Sequence, residues 1–448
     1  AARFNSPLGI AIDQAGNIFL ADTGNFTIRR LTPAGVVSTI GGLAGSPQYA
    51  EGTGSNARFF APAAIAVDSA GALFIADSTN NVIIKGTLDT RPAVVFAAQS
   101  GVVQPGATYT FSVTASGGGL RYQWRLNGQV IANATSPTYT VTNAQAPAAG
   151  SYTVDITNSA GTTTSAAATL AIVTTTDVGR IANLSILTSI SGAGGNFTLG
   201  YVVGGPGTTG ALPLVIRAAG PSLGALGVGG TLADPKFELF AGSTKSGEND
   251  NWGGSASLAA ALANVGAFPY TGPASLDAAA VASITTRDNS VRVSAANTGT
   301  GTVLAEIYDA TPFGARTAAT PRLLNVSVNK QLDAGATLIA GFVIGGQTSK
   351  TVLIRAIGPT LATFGVPGAL LDPKLELYSS AGKINENDDW GGGAALSSAF
   401  TSVGAFPLNG ASRDAVLLVT LPPGNYTAQA TGVANATGVA LVEVYDVP

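Results

Sequence analysis

The chain of 448 residues carries a net charge of −3, and only 10% of its side chains are charged. It contains no Cys and no His, which excludes disulfides, thiol nucleophiles, Ser-His-Asp triads and imidazole zinc sites. The small net charge gives no electrostatic basis for binding nucleic acid or an anionic membrane. A hydrophobic content of 46% supports packed cores, and 58 glycines favour short strands joined by tight turns. These features predict an all-β protein of three or four domains.

The chain also lacks Met, so we expect its first residue not to be the translated start. We predict an extracellular or cell-surface protein, exported by a signal peptide that is absent from this chain. A shortened chain would show the same absences. No apolar run reaches the roughly 18 residues that a membrane-spanning helix needs, so no membrane span is predicted.

A repeated pattern occupies the start of the chain. The segment RFNSPLGIAID at 3–13 recurs as RFFAPAAIAVD at 58–68, and the following segment GNIFLADTGN recurs as GALFIADSTN. Apolar residues alternate in both copies, which indicates strands, and such a period is typical of propeller blades. These segments resemble the NHL repeat, a four-stranded propeller blade, with a departure at Phe26, where many members of the family carry His. The resemblance implies two NHL-type blades in residues 1–90.

Two blades do not close a propeller, which typically has four to eight. Either further blades precede this pair, or the pair covers an edge of another part of an assembly. An exposed blade edge can pair with a strand of another chain, which is a first indication of polymerisation.

Residues 91–173 change to longer alternating strands. Trp124 lies in the segment YQWRLNG, and Tyr152 lies in the segment GSYTV. These segments resemble an immunoglobulin-like β-sandwich, in which a Trp fills the core and a Tyr forms a corner. The resemblance implies that the two usual disulfide positions fall on Val113 and Val154, so we expect apolar packing there. We predict a buried core role for Trp124, with a sugar-stacking platform as the alternative.

The rest of the chain is an internal duplication. The segment LVIRAAGPSL beginning at Leu214 recurs as VLIRAIGPTL beginning at Val352, and ENDNWGG recurs as ENDDWGG. The duplication predicts two tandem homologous β-sandwich domains, at residues 178–312 and residues 320–448. The segments LELY, NDDWG and PGNYTA resemble the pre-peptidase C-terminal domain, a secreted β-sandwich. The order of modules is similar to that of large secreted surface proteins of environmental Gram-negative bacteria.

Each copy also has one helical pattern, with apolar residues at i, i+4 and i+7 followed by a Gly. This spacing predicts a short amphipathic helix that ends at the Gly. The two patterns are Leu258, Leu262 and Val265 before Gly266, and Leu396, Phe400 and Val403 before Gly404.

Acidic turns in both copies supply candidate metal ligands. Calcium binds six to eight oxygens, and a turn with carboxylate and amide side chains supplies several of them. The alternative is an Asx turn, whose side chains cap their own backbone. Asn251 in the first copy corresponds to Asp389 in the second, so we expect the second copy to bind calcium more strongly. The candidate ligands are Glu248, Asn249 and Asp250 in the first copy, Glu386, Asn387, Asp388 and Asp389 in the second, and in addition Asp234 and Asp372.

One Arg occurs inside an otherwise apolar strand of each copy, Arg217 in the first and Arg355 in the second. A buried charge without a partner is costly. We therefore predict a buried ion pair with an acid of the same copy, such as Glu238 or Glu376. An anion-binding site is the alternative.

No catalytic constellation is visible, so we predict that the protein is not an enzyme. The repeated β modules favour an extracellular structural or adhesive protein that self-associates into a filament, sheath or surface layer. The alternative is an ancillary region of a larger secreted enzyme that binds polysaccharide or cell wall, with surface glycans as partners. A glycoside hydrolase would need two acids facing one cleft, whereas the recurring acids lie in turns or at strand ends. Apart from calcium, no cofactor is predicted.

Overall fold

The computed structural model describes residues 2–448 except 14–15, 69–70, 89–90, 159, 193, 286–287, 313 and 318. The described residues form an all-β protein with two short α-helices, as the composition predicts. The chain divides into two compact units, which are described one at a time. Unit 1 contains residues 1–98, 112–139 and 151–167, and unit 2 contains residues 99–111, 140–150 and 168–448.

Two small antiparallel sheets open unit 1. The first, blade 1, has four strands in the order β1 (Pro7–Ile12), β2 (Ile18–Asp22), β3 (Thr27–Leu31) and β4 (Val37–Gly41). The second, blade 2, has three strands in the order β5 (Pro62–Val67), β6 (Leu73–Asp77) and β7 (Val82–Gly86). Alternating apolar residues along these strands supply one shared core that contains Phe19, Ile28, Ile65 and Leu73.

Ten strands follow in residues 91–173. They are β8 (Ala93–Phe96), β9 (Gly101–Val103), β10 (Tyr109–Ser112), β11 (Thr114–Ser116), β12 (Arg121–Leu126), β13 (Gln129–Val130), β14 (Thr138–Val141), β15 (Gly150–Asn158), β16 (Gly161–Thr164) and β17 (Ala168–Ile172). In unit 1, β12 pairs antiparallel with β13 and β15, β15 with β16, and β8 with β11. In unit 2, β17 pairs parallel with β9.

Trp124 is fully buried in unit 1, which confirms its predicted core role. It lies opposite Val154 in the pairing of β12 with β15, and its indole N–H donates to the carbonyl of Ser136 at 2.9 Å. Val113 and Val154 are both buried, as expected for apolar residues at the two disulfide positions. Apolar packing therefore fills this part of the core without a covalent bridge.

The described residues of the duplicated copies of unit 2 form eight strands in each copy. The strands of the first copy are β18 (Arg180–Ile190), β19 (Asn196–Gly204), β20 (Leu212–Ala219), β21 (Pro235–Ala241), β22 (Thr244–Asn249), β23 (Ala278–Ile284), β24 (Asp288–Ala295) and β25 (Gly301–Asp309). The strands of the second copy are β26 (Arg322–Leu332), β27 (Thr337–Gly345), β28 (Lys350–Ile357), β29 (Pro373–Ser379), β30 (Gly382–Asn387), β31 (Ala415–Leu421), β32 (Gly424–Gly432) and β33 (Gly438–Asp446).

The predicted helices are confirmed in both copies as α1 (Ala256–Asn264) and α2 (Ala394–Val403). The residues Gly266 and Gly404 beyond them have φ of +73° and +71°, a left-handed conformation that favours glycine and ends a helix. Each helix packs on the outer face of its own copy, where Leu262 or Phe400 is buried.

The two copies pair with each other along their edge strands. Their strands join into two continuous antiparallel sheets that share one core. One sheet has the order β22-β21-β24-β19-β26-β33-β28-β31, and the other has the order β23-β20-β25-β18-β27-β32-β29-β30. At the centre of each sheet, a strand of the first copy pairs with a strand of the second, β19 with β26 and β18 with β27. Leu199, Val326, Ile186 and Phe342 from these four strands belong to the same buried cluster.

Candidate interaction site

A buried Asp at the end of the second strand organises each blade of unit 1. The Asp22 carboxylate accepts the backbone N–H of Asn5 at 2.7 Å and an N–H of Arg29 at 3.0 Å. The Asp77 carboxylate accepts the backbone N–H groups of Phe60 and Ala61, both at 2.8 Å. Both Asp residues therefore fix the chain segment that leads into the first strand. The repeat in the sequence shows that the two Asp residues are equivalent, but the sequence does not predict their hydrogen-bond partners.

In the described residues, blade 2 has no counterpart of the fourth strand of blade 1. The repeat places residues 92–96 at the position that β4 occupies in blade 1, since the two copies are 55 residues apart. In the structure these residues contribute to β8, which pairs with β11 instead. Within the described part of unit 1, β7 pairs with β6 alone. One long side of β7 is therefore an open sheet edge.

An elongated cleft of about 830 Å³ follows this open edge. Consecutive residues of β7 line it together with consecutive residues of β4, and its lining contains both apolar and polar residues. Tyr49, Glu51 and Lys85 lie among the polar lining residues, and a hydrogen bond to Glu51 raises the pKa of Tyr49. The apolar residues of the lining include Ile28, Ile40, Phe59, Leu73, Ile75, Ile83 and Ile84. An unpaired edge beside a cleft with apolar lining residues is a setting in which an extended segment can add a strand to a sheet.

The Arg residues of the duplicated copies lie in buried ion pairs, but the acids named from the sequence are wrong. Arg217 contacts Glu306, with its Nη2 at 2.5 Å, and Arg355 contacts Glu443, with its Nη2 at 2.5 Å. Glu238 pairs with Lys245 and Arg292 instead. The reason is the strand register, which sets Arg217 directly opposite Glu306 and Arg355 directly opposite Glu443.

Each guanidinium also makes contacts beyond its ion pair. Arg217 Nη1 donates to the carbonyl of Phe268 at 2.8 Å, and the Phe268 ring centroid lies 3.8 Å from Arg217 Cζ. Arg355 makes the corresponding contacts with Phe406, at 2.7 Å and 4.1 Å. Burial and the adjacent Glu443 raise the pKa of Tyr445, whose hydroxyl donates to that carboxylate at 2.8 Å. These contacts support the structural interpretation of the two Arg residues over an anion site.

A second pair of buried acids, Asp277 and Asp414, is missed by the sequence reasoning. Asp277 accepts the backbone N–H of Gly220 at 2.7 Å, and Asp414 accepts that of Gly358 at 2.8 Å. Both carboxylates also accept from hydroxyl groups, Asp277 from Ser222 and Asp414 from Thr360. They hold the turn after β20 and β28, and their recurrence in both copies is the signal that could have found them.

The amide side chains predicted as calcium ligands form hydrogen bonds with backbone groups of the protein. Asn249 accepts the backbone N–H of Ala279 at 2.9 Å, and Asn387 accepts that of Val416 at 2.9 Å. Each also donates to a carbonyl two residues later, that of Asn251 or Asp389. These bonds tie the edge of one sheet to the edge strand of the other, which favours the Asx-type interpretation at these two positions.

The carboxylates of the same turns lie at the surface. Glu248 contacts Lys245 at 2.8 Å, and Glu386 contacts Lys383 at 2.7 Å. No cluster of three or more acidic residues suited to a metal ion occurs within the described ranges. Asp250, Asp388 and Asp389 are exposed, and calcium binding there stays a prediction. Arg413 contacts Asp372 at 2.5 Å, so in the second copy a positively charged guanidinium lies beside one of the candidate calcium ligands.

Comparison with known families supports the NHL resemblance. The NHL repeat family matches residues 4–31, which include β1, β2 and β3. The match covers a small part of the chain, so it identifies a repeat of this type rather than the whole protein. No curated protein shows significant similarity to the chain.

Solved structures of immunoglobulin domains also match. The N-terminal four Ig domains of Dscam1 isoform 1.9 match with 15% identity over 31% of this chain and 34% of that chain, with a TM-score of 0.20. The N-terminal Ig1-2 module of the Drosophila receptor protein tyrosine phosphatase DLAR matches with 14% identity over 38% of this chain and 96% of that chain, with a TM-score of 0.18. This chain thus spans about a third of the length of the Dscam1 structure.

These TM-scores are low, so the matches carry no argument about how the modules are arranged. The described residues form an all-β protein that includes one NHL repeat. In the described chain, neither α-helix has the length and apolar composition needed to cross a membrane.

Proposed function

We propose that this chain is a non-catalytic extracellular protein with a structural or adhesive role, which self-associates through its β modules into a filament, sheath or surface layer. The open edge of β7 and the cleft beside it carry the proposal. Such an edge promotes pairing with other chains, and monomeric proteins usually cover or charge it. Here β7 contains one charged residue, Lys85, and the adjacent cleft is large enough for a short extended segment.

The polar residues of unit 2 add support. The buried acids and Arg residues described above form ion pairs or hydrogen bonds to turns, so these charged groups stabilise the fold. Of the three Trp residues, Trp124 and Trp390 are buried, which gives little support to the alternative of a polysaccharide-binding region.

Electron microscopy of the native secreted material, with the purified chain alongside, tests the proposal. We expect ordered filaments or sheets in the native material and the same repeat in concentrated purified chain. Dispersed single particles in both samples would contradict self-association. Binding to glycans or cell-wall fragments by those particles would then favour the ancillary module.

A further inference from the structure

The contact between the two blades of unit 1 shows how one blade packs on the next. A Cβ atom added at Gly9 of blade 1 would lie 2.7 Å from Ala64 Cα of blade 2, so the two backbones approach closely. The Thr23 hydroxyl of blade 1 donates to the Pro62 carbonyl of blade 2 at 2.6 Å. The side of blade 1 that faces blade 2 is called its front face, and the opposite side is called its back face.

The front faces of the two blades differ sharply in exposure. Phe19 and Ile28 on the front face of blade 1 are 0% and 1% exposed, because blade 2 covers them. Their equivalents 55 residues later, Phe74 and Ile83, are 36% and 70% exposed. Ala64 and Ala66 of the same face are also exposed. Blade 2 therefore presents a largely apolar front face, on which Lys85 lies beside Phe74, and no blade lies against it in the described chain.

The back faces show the reverse. Ile65 on the back face of blade 2 is 8% exposed, whereas its equivalent Ile10 in blade 1 is 60% exposed. Leu8 and Ile12, on the same side of β1 as Ile10, are also exposed. Three neighbouring apolar side chains on one strand thus form a second surface, at the opposite end of the pair, which no described residue of this chain covers.

We infer that the front face of blade 2 of one molecule docks on the back face of blade 1 of a second copy of this chain. The inference rests on the proposed function and names its partner and its contact surfaces. Each uncovered face is the repeat equivalent of a face that is covered inside the chain, so a blade of the same kind is the complementary occupant. The described residues contain no third blade, and a second copy supplies one.

This contact uses two different surfaces, so it is head-to-tail and each molecule keeps one free surface for the next. Two molecules joined in this way align four blades, and four to eight blades is the range in which propellers close into a ring. The rotation between successive molecules then decides whether the assembly closes or continues as a filament.

Ile10→Asp and Ile83→Asp, made in the full chain, test the inference by mass photometry and sedimentation. Both side chains are largely exposed, so we expect unchanged folding, checked by circular dichroism and thermal melting. Each variant alone should be monomeric at concentrations where the wild type assembles. Ile10→Asp keeps a working front face and Ile83→Asp keeps a working back face, so an equimolar mixture should form 1:1 dimers and stop there.

Leu371→Asp is the matched control, since Leu371 is an exposed apolar residue of unit 2. We expect it to assemble as the wild type does. Assembly of Ile10→Asp and Ile83→Asp to the wild-type size would overturn the head-to-tail contact but leave the proposed function standing. Dispersal by Leu371→Asp as well would also overturn it, because the effect would then not be specific to the blades. A monomeric wild type would contradict the proposed function itself.

Discussion

The two copies of each internal duplication pack on each other in a different way in the two duplicated regions. In the blade pair, one copy packs on the next in a single direction, so an apolar face stays uncovered at each end. In the C-terminal copies, each uses two central strands to pair with the other, and one core contains both. A head-to-tail repeat leaves an uncovered surface at each end unless it closes into a ring, whereas mutual pairing of edge strands covers the edges of both copies.

The closure of the C-terminal copies has an internal two-fold pattern. Exchange every strand with its counterpart in the other copy, in both directions. The order of one sheet then becomes the order of the other sheet, read backwards. β18 and β19 would be the unpaired edges of an isolated first copy, and β26 and β27 those of an isolated second copy. The duplication thus has the symmetry of a dimer formed within one chain, and it removes four sheet edges that would otherwise favour association.

Breaking a buried ion pair should have the largest effect on the closed region. Arg355→Met leaves Glu443 buried without its partner, and we expect a loss of about 3–5 kcal/mol in the free energy of unfolding. Arg217→Met is the matched variant in the first copy. Because both copies share a core, each variant should lower the same denaturant-induced transition, followed by fluorescence. Two separate transitions, with only one affected by each variant, would show that the copies fold independently.

Adding a methyl group at the contact between the blades should have the next largest effect. Gly9→Ala places a Cβ against the backbone of Ala64, so we expect a loss of about 1–3 kcal/mol in unit 1. Ala64→Gly is the matched change at the repeat-equivalent position, on the uncovered front face of blade 2. It removes a Cβ where a second copy would approach, so this variant should assemble more than the wild type does in sedimentation. An unchanged melting profile for Gly9→Ala would contradict the close packing of the two blades.

The acid sensitivity of the closed region should depend in part on Glu238. Hydrogen bonds from Lys245 and Arg292 lower the pKa of Glu238 from 4.5 to about 2. A lowered pKa means that the stabilisation is complete above pH 4.5 and is lost as the pH falls towards 2. The wild type should therefore lose some of its free energy of unfolding between pH 4.5 and pH 2 through Glu238, and Glu238→Gln should not show this part of the loss. We expect this part to be under about 1 kcal/mol, because the ion pairs of Glu238 are partly exposed.

Denaturant titrations at several pH values between 2 and 7 measure this contribution. Glu376→Gln is the matched variant in the second copy, since the pKa of Glu376 is also lowered to about 2: burial opposes the shift, but hydrogen bonds from Lys383, Tyr378 and Lys374 exceed it. An acid dependence identical to that of the wild type in both variants would mean that these pairs do not contribute.

Calcium should have the smallest effect. A ligand that binds the folded state alone raises its stability in proportion to the logarithm of its concentration. We expect a small rise in melting temperature with calcium relative to EDTA, which Asp388→Ala and Asp389→Ala should remove and Asp250→Ala should reduce less. Equal melting temperatures with calcium and EDTA in the wild type would exclude the site.

Local patterns were sufficient for much of the fold. The alternation of apolar residues located the blade strands, and the i, i+4, i+7 spacing before Gly266 and Gly404 located both helices, because these signals depend on neighbouring residues alone. The burial of Trp124 followed from the immunoglobulin-like pattern around it. The calcium ligands and the boundaries of the four predicted domains stay predictions.

The sequence by itself therefore determined the modules, their repeats and the all-β class. Only the tertiary structure decided which strands pair, since residues far apart in the chain meet according to register. In the tertiary structure, Arg217 lies opposite Glu306 rather than Glu238. Strand β8 pairs with β11, although the repeat predicts a position beside β7. The two copies pair through their central strands. These outcomes depend on competition between distant edges for the same partner, and no local spacing records which edge prevails.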